Sequence, residues 1–575
     1  MRKILIEISF VILLSIPAVY PLFVSGFFPM HDDTQVARVY EMKNSLADGM
    51  LPVRWSEHLG YGYGYPIFNF YAPLAYYIGG IINLIGADAL NATKSMIGLG
   101  MLLSAVGMYL FSRSFWGSSG AFISSMLYMY APYHALNLYV RGAISEIWAY
   151  GLLPFTFWGL YRLFHAIADA KTKPKKYARN YKQIWIWTSV SAIAYAGVIL
   201  SHNLTAMMVT PALLGFVVLL SLFGLHRKAS KRKLSFLFLS LVLGVLISAS
   251  YWLPVLSEMK YTNVLSVVGG GSDYPDHFVC VSQLWNSPWG FAGSAPGCVD
   301  GISFKLGKAH IALSALAVIA LFIPWVKRSQ KIVVVGSLFG ALVSLFLLLP
   351  QSQFIWDSIS PMAFFQFPWR FFILANCAIA LLAGASSLLL PSKVRMYVSI
   401  VIMVGIIGVN YDIFQPSTQK NISVADLVSN KAISWEASKL SDEYMPRGFS
   451  KPKSVSEIVT EKIVTEGPEV VITNQVTQAD KLTATVNSPK SSTLTIATAY
   501  FPAWKIYLDS EEVAYTQFNK GLKVRVPEGT HIFEMKFVQT PVEKAANVLS
   551  LTGVSILLAG IIFLRKEKRT IAKST

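Results

Sequence analysis

The stretch PMHDDTQVARVYEM, residues 29–42, places two adjacent carboxylates, Asp32 and Asp33, directly after a histidine, His31. Further ionisable residues follow in an otherwise apolar chain. They are Arg38, Arg54, Glu57 and His58, then Arg141 and Glu146 in YVRGAISEIW, His202 with Asn203 in LSHNLT, and Arg370 in QFPWRFF. A carboxylate can deprotonate an attacking hydroxyl, and arginines can grip a phosphate and stabilise it as it leaves. Together these groups suit transfer of a sugar from a polyprenyl-phosphate carrier whose lipid tail stays in a bilayer. A carboxylate pair can instead hold a hard divalent cation, Mg or Mn, through oxygen ligands. The candidate set is therefore catalytic Asp32, Asp33 and Glu146, with Arg141, Arg370 and His202 on the donor phosphate. Tyr61, Tyr63, Tyr65 and Tyr71, in YGYGYPIFNFYAPLAYY, offer rings that could stack on sugar or lipid.

Each residue also has a purely structural explanation. Asp caps helix N-termini, and TQVARVYEM has helical character. Glu146 opens an apolar segment, where a carboxylate answers the helix dipole. His202–Asn203 can simply end a helix, Arg370 can snorkel to an interface, and the tyrosines can form an interfacial belt. Trp504, in YFPAW, suits either a sheet core or a glycan platform. The alternation of Gly60, Gly62 and Gly64 is no phosphate loop, because it follows no strand and opens no helix.

The elements that must position these groups are membrane helices. The chain of 575 residues is 54% hydrophobic and 14% charged, against about 25% charged in a soluble domain. Runs such as LVLGVLISASYWLPVL are apolar on all faces, which reads as membrane-spanning helix. The net charge of +18 collects at 171–182, 226–233, 327–331, 391–395 and 565–569, between apolar segments. That is the positive-inside pattern, not a nucleic-acid surface. Twelve spans starting at 4–25, with the N-terminal segment retained, put both termini and every basic cluster in the cytoplasm. The apolar stretch 71–87 then lies along the outer interface. The middles of the spans carry few ionisable groups, which disfavours a transporter. The expected organisation is a helical domain over 1–414 with its first outer loop at 26–93, and a connector at 415–452. A β-sandwich outside the membrane follows at 453–540, where strands alternate as in KLTATVNSP and GLKVRVPEG, and 546–575 form a last helix and basic tail. Cys280 and Cys298 share the outer loop 255–307, where an oxidising exterior permits a disulfide. Cys377 falls in an apolar span and reads as core.

The first outer loop resembles that of the GT-C glycosyltransferases. DD before VARVYEM, the step Gly49–Met50–Leu51–Pro52 and the segment Pro73–Leu74–Ala75–Tyr76 carry the resemblance. RGAISE, LSHN, FPWRF and a YFPAW-type β region before a final span are similar to the bacterial 6-pyruvoyl-tetrahydropterin synthase-related membrane proteins and their YfhO-type relatives. The soluble synthase is a zinc enzyme, and its histidine-ligand motif has no counterpart here. The resemblance implies a GT-C-like helical fold in a bacterial cytoplasmic membrane with an extracytoplasmic site. It implies Asp32 as base and Asp33 as a supporting or metal-facing group, although many GT-C members have Asp-Glu where this chain has His-Asp-Asp. The expected function is transfer of a sugar from a polyprenyl-phosphate donor to a cell-envelope acceptor. A non-catalytic scaffold or glycan-binding protein, and a polyprenyl-diphosphate-dependent ligase or polymerase, are the alternatives.

Overall fold

The computed structural model describes residues 2–172, 177–223, 231–267, 273–465 and 469–573. The expected cytoplasmic clusters at 171–182 and 226–233 lie partly outside the described residues, as do the side chains of 565–569.

Runs that are apolar on every face cannot be satisfied by a one-sided helix, and they form long helices packed on one another. Among the described residues eight helices are long and apolar enough to cross a membrane, or nine if the pair 235–247 and 249–261, bent by 64°, is one span. The difference from twelve expected spans has local causes. The apolar stretch Ala89–Arg141 contains a hairpin. Gly117, at φ 70°, takes a left-handed backbone that a residue with a Cβ resists. The chain doubles back there, so that Ser125 Oγ donates to the Ala105 carbonyl at 2.7 Å and the rings of Tyr109 and Phe122 lie 5.1 Å apart. Helix Ile144–Thr172 is long but interleaves Tyr150, Pro154 and Arg162 with its apolar residues, and Lys308–Ile319 has only 12 residues.

Within the first outer loop the short helices Gln35–Ala47 and Leu74–Leu84 pack on each other. They approach closely because the second presents no side chain at the crossing. A Cβ on Gly79 would sit 2.7 Å from Val39, and one on Gly80 2.6 Å from Met42. The apolar stretch at 71–87 is therefore spent on packing the helix that carries Arg38.

Among the described residues nine strands follow: β1 (Ile463–Thr465), β2 (Val471–Gln478), β3 (Lys481–Ser488), β4 (Ser492–Ile496), β5 (Trp504–Leu508), β6 (Glu511–Val513), β7 (Tyr515–Phe518), β8 (Gly521–Val526) and β9 (Gly529–Phe537). They make two antiparallel sheets, in the orders β1-β4-β8-β7 and β2-β3-β9-β5-β6. Alternation sets which side chains turn inward: Leu482, Ala484 and Val486 of β3, Trp504, Ile506 and Leu508 of β5, and Leu522, Val524 and Val526 of β8 are buried. Trp504 meets Trp55 of the first outer loop edge-to-face at 5.2 Å. It is interface core, with no face left for a glycan.

A buried polar knot joins this region to the membrane helices. Arg54 pairs with Glu543 at 3.5 Å and donates to Asn69 and Asn547. Asn69 in turn donates to Glu258, which also accepts from Thr540. Cys280 and Cys298 are joined by a disulfide.

Candidate functional site

The loop before helix Gln35–Ala47 is held by backbone bonds to a second loop. His31 N–H donates to the Val140 carbonyl at 2.9 Å, and Asp32 N–H to the Arg141 carbonyl at 3.0 Å. Gln35 Nε2 reaches the carbonyls of Asp32 and Gly142. Gly142, at φ 68°, makes this approach possible, because a Cβ there would meet Met30 Sδ at 2.4 Å. The helix cap is Thr34, without a side-chain cap bond, so neither aspartate acts as the N-cap.

This junction is one wall of a cavity of 390 Å³ lined by Asp32, Arg38, Tyr71, Arg141, Glu146, His202 and Arg370, among others. Six of the ten candidate catalytic, phosphate and aromatic residues therefore converge from segments far apart in the chain. The other four do not line it. Asp33 is exposed and faces the charge of Lys420. Tyr61, Tyr63 and Tyr65 are buried, because their polar tips and ring faces are used against the connector. Tyr61 donates to Asp442 at 2.7 Å, Tyr65 donates to the Ser441 carbonyl at 2.7 Å, and Tyr63 packs on Phe449. They fasten the first outer loop instead of lining the cavity.

The two arginines differ in their support. Arg141 ends a π-helical turn, Asn137–Arg141, a widening often found at functional sites. It pairs with Glu146 at 3.0 Å and stacks over Trp369, 4.3 Å from the ring centre. Glu146 also accepts from Tyr133 and from Asn137. Both its oxygens are engaged and it is 1% exposed, so it holds Arg141 in place. Arg370 has no carboxylate within ion-pair distance among the described residues. It donates to the Phe365 carbonyl at 2.6 Å and to Gln366 at 3.4 Å, and its buried Nε has no hydrogen-bond partner among the described residues. Asp32 makes no side-chain hydrogen bond among the described residues, and its charge acts on both guanidinium groups. His202 faces the same cavity with Nδ1 bonded to Thr205 at 2.7 Å.

On the opposite wall, Ser441 and Glu443 join Arg38 and Tyr71 and were not marked by the sequence. Arg38 lies 4.2 Å over the Tyr71 ring and donates to Ser441 at 2.8 Å; Ser441 donates to Glu443. Burial raises the Glu443 carboxyl above its ordinary value, against the lowering influence of Arg38. Nothing local in SDEYMP marked these residues. Their role depends on a contact 403 positions away.

Glu57 and His58 stand apart, at another cavity. There buried Glu41 accepts from Ser56 Oγ at 2.7 Å and from His58 N–H at 3.0 Å, and lies 2.9 Å from His58 Nδ1. Burial alone would raise the Glu41 carboxyl, but the His58 and Ser56 contacts leave it below its ordinary 4.5. Burial alone would lower the His58 imidazole, but Glu41 and Glu57 leave it above 6.5. The stabilisation from Glu41 is present above 4.5 and disappears as pH falls through its lowered value. That from His58 is present below 6.5 and disappears as pH rises through its raised value. Thermal unfolding of wild type and His58→Gln from pH 4 to 9 should therefore differ most between 4.5 and 6.5 and converge on the alkaline side.

Several known proteins share features with this chain. Residues 68–266 match the family model described as the 6-pyruvoyl-tetrahydropterin synthase related domain, a membrane protein. The matched segment of this synthase-related family contains Tyr71, Arg141, Glu146 and His202, but not Asp32, Arg370 or Glu443. An uncharacterized protein of Lactococcus lactis is 24% identical over 256 residues, covering 44% of this chain and 39% of its own. The oligosaccharyltransferase of Archaeoglobus fulgidus superposes with a TM-score of 0.46 at 14% identity, covering 80% of this chain and 61% of that one. ArnT from Cupriavidus metallidurans, solved with undecaprenyl phosphate, gives 0.42 at 10% identity, with 78% of each chain covered.

Proposed function

We propose that the cavity transfers a sugar from a polyprenyl-phosphate donor to a cell-envelope acceptor at the outer face of a bacterial cytoplasmic membrane. The observation that carries this reading is Arg370, a guanidinium without a carboxylate partner among the described residues and with an unsatisfied buried Nε. It shares its cavity with Arg141 and with the uncommitted carboxylate of Asp32. A half-buried cation in that state asks for an anion, and a planar guanidinium suits phosphate oxygens.

The acceptor hydroxyl gives its proton to Asp32, and its oxygen bonds to the sugar carbon that carries the phosphate. The bond from that carbon to the phosphate oxygen breaks, and the departing negative charge is taken by N–H groups of Arg141 and Arg370. His202 adds a polar contact on the phosphate side. Glu146, Tyr133 and Asn137 fix Arg141, so Glu146 is a positioning residue. Tyr71 gives the sugar an aromatic face. Glu146 and Glu443 are engaged by other side chains, which leaves Asp32 as the cavity carboxylate open to a hard cation. The donor set does not fit bound Mg or Mn, and no step is routed through one.

The test is release of polyprenyl phosphate from a panel of polyprenyl-phosphate sugars, with purified protein and an envelope extract as acceptor. Arg370→Gln is expected to slow release about 10²–10³-fold, the scale of losing one donor to a developing anion. Release from polyprenyl-diphosphate glycans instead would support the ligase or polymerase reading, and no release from either would favour the non-catalytic one. The orientation has its own check: in Asp32→Cys, an impermeant thiol reagent added outside intact cells should label the chain.

A further inference from the structure

The second cavity, of 500 Å³, is formed where four segments meet: the first outer loop, the connector, the stretch 459–462 that leads into β1, and the edge strand β2. We infer that it is a saccharide-binding cleft.

Its charges are already balanced within its walls. Lys462 Nζ donates to the backbone carbonyls of Gly62 at 2.8 Å and Glu57 at 3.2 Å. His58 is held by Glu41 on one side, and its Nε2 lies 3.8 Å from Glu57 on the other. Both cations here sit under the charges of two carboxylates, Glu41 and Glu57, which also repel an incoming anion. What the walls offer is amide and hydroxyl groups, from Asn430, Gln475 and Thr477, beside the Tyr40 ring and aliphatic carbon of Ile433 and Val459. Planar hydrogen-bonding side chains next to an aromatic face match the hydroxyl edges and C–H faces of a neutral sugar. The volume lies within the ~300–1,000 Å³ of small-ligand sites.

Strand β2 is shaped for this. Its register with β3 breaks between Thr473 and Val476, and Asn474 takes a left-handed φ of 52°. Such a bulge re-aims side chains and spoils an edge for strand addition. Gln475 sits inside the irregular stretch and lines the cavity. An extended polypeptide pairing with this edge is thereby disfavoured as the occupant.

The connector runs from this cleft to the other cavity: Ile433 and Ser434 line one, Ser441, Glu443 and Tyr444 the other. Use of the cleft to hold the acceptor glycan rests on the transfer reading above; saccharide binding itself does not.

The test is titration of the full chain in lipid nanodiscs, free of sugar-headed detergent, with fluorescently labelled neutral hexasaccharides of α-glucan, β-glucan and β-linked N-acetylglucosamine. At least one probe should bind. Gln475→Ala and Tyr40→Ala should each weaken binding at least roughly tenfold, the scale of losing a hydrogen bond or ring contact worth one to two kcal/mol. Gln475 is exposed on an edge strand, so its variant removes a contact without opening the core. Asp32→Asn should bind as wild type does. Failure of every probe to bind at millimolar concentration, or binding that neither variant changes, would overturn the cleft. Sugar binding by the wild-type protein without release of polyprenyl phosphate from any donor would keep the cleft and remove the transfer reading.

Discussion

Asp32→Asn is expected to lower release of polyprenyl phosphate about 10²–10⁴-fold, the usual contribution of a general base, while the protein unfolds at an unchanged temperature. The two halves of this expectation come from the same geometry. The Asp32 backbone does the structural work: its N–H is bonded to Arg141 and its carbonyl accepts from Gln35. Asparagine keeps both bonds. Its amide has the same shape as the carboxyl but cannot take a proton from an acceptor hydroxyl. The side chain is exposed and makes no protein hydrogen bond among the described residues, so stability should stay within about 0.5 kcal/mol of wild type. Asp33→Asn is the built-in control. That residue is outside the cavity, and its replacement should leave release near the wild-type rate. Equal loss in both variants would point to a loop defect. No loss in Asp32→Asn would remove it as the base.

The largest effect on stability is expected from Arg54→Ala, at about 3–5 kcal/mol. Arg54 is 2% exposed, its ion-pair partner Glu543 0% and nearby Glu258 2%. Removing the guanidinium strands two carboxylates away from water, next to a space that alanine does not fill. A buried pair adds little over a well-packed apolar pair, but half of one is costly. Arg54→Ala combined with Glu543→Gln should recover part of the loss, because the stranded charge is gone. The measurement is thermal or denaturant unfolding in the same lipid, for both singles and the double. Additive losses would mean that the two residues do not act through each other.

How far the chain could be read in advance depended on whether a residue's role was local. Periodicity is local, so the apolar spans and the inward positions of β3, β5 and β8 were legible. The aspartate pair and the arginines stood out because charge is rare in such a chain. The fates of Tyr61, Tyr63 and Tyr65 were not legible. A tyrosine next to glycines looks alike whether it lines a cavity or fastens a loop, and its partners Ser441, Asp442 and Phe449 lie nearly 400 residues on. Glu146 was read as an acid in the site, whereas its neighbours Tyr133 and Asn137 occupy it. Those partners are only 13 and 9 positions away, but a π-helical turn brings them round, and that turn has no clear sequence signature.

The contact between Arg54 and Asn547 joins residues 493 positions apart. At about 5–20 residues per second, a ribosome needs roughly 25–100 s to travel between them. Throughout that interval the first outer loop is already made, while the helix that neutralises Arg54 does not yet exist. The connector residues that meet Arg38 and Tyr65 come late as well. A nascent chain therefore carries Asp32 long before it has the far wall of its cavity, so on the transfer reading proposed above the order of synthesis itself holds chemistry back until the connector is made.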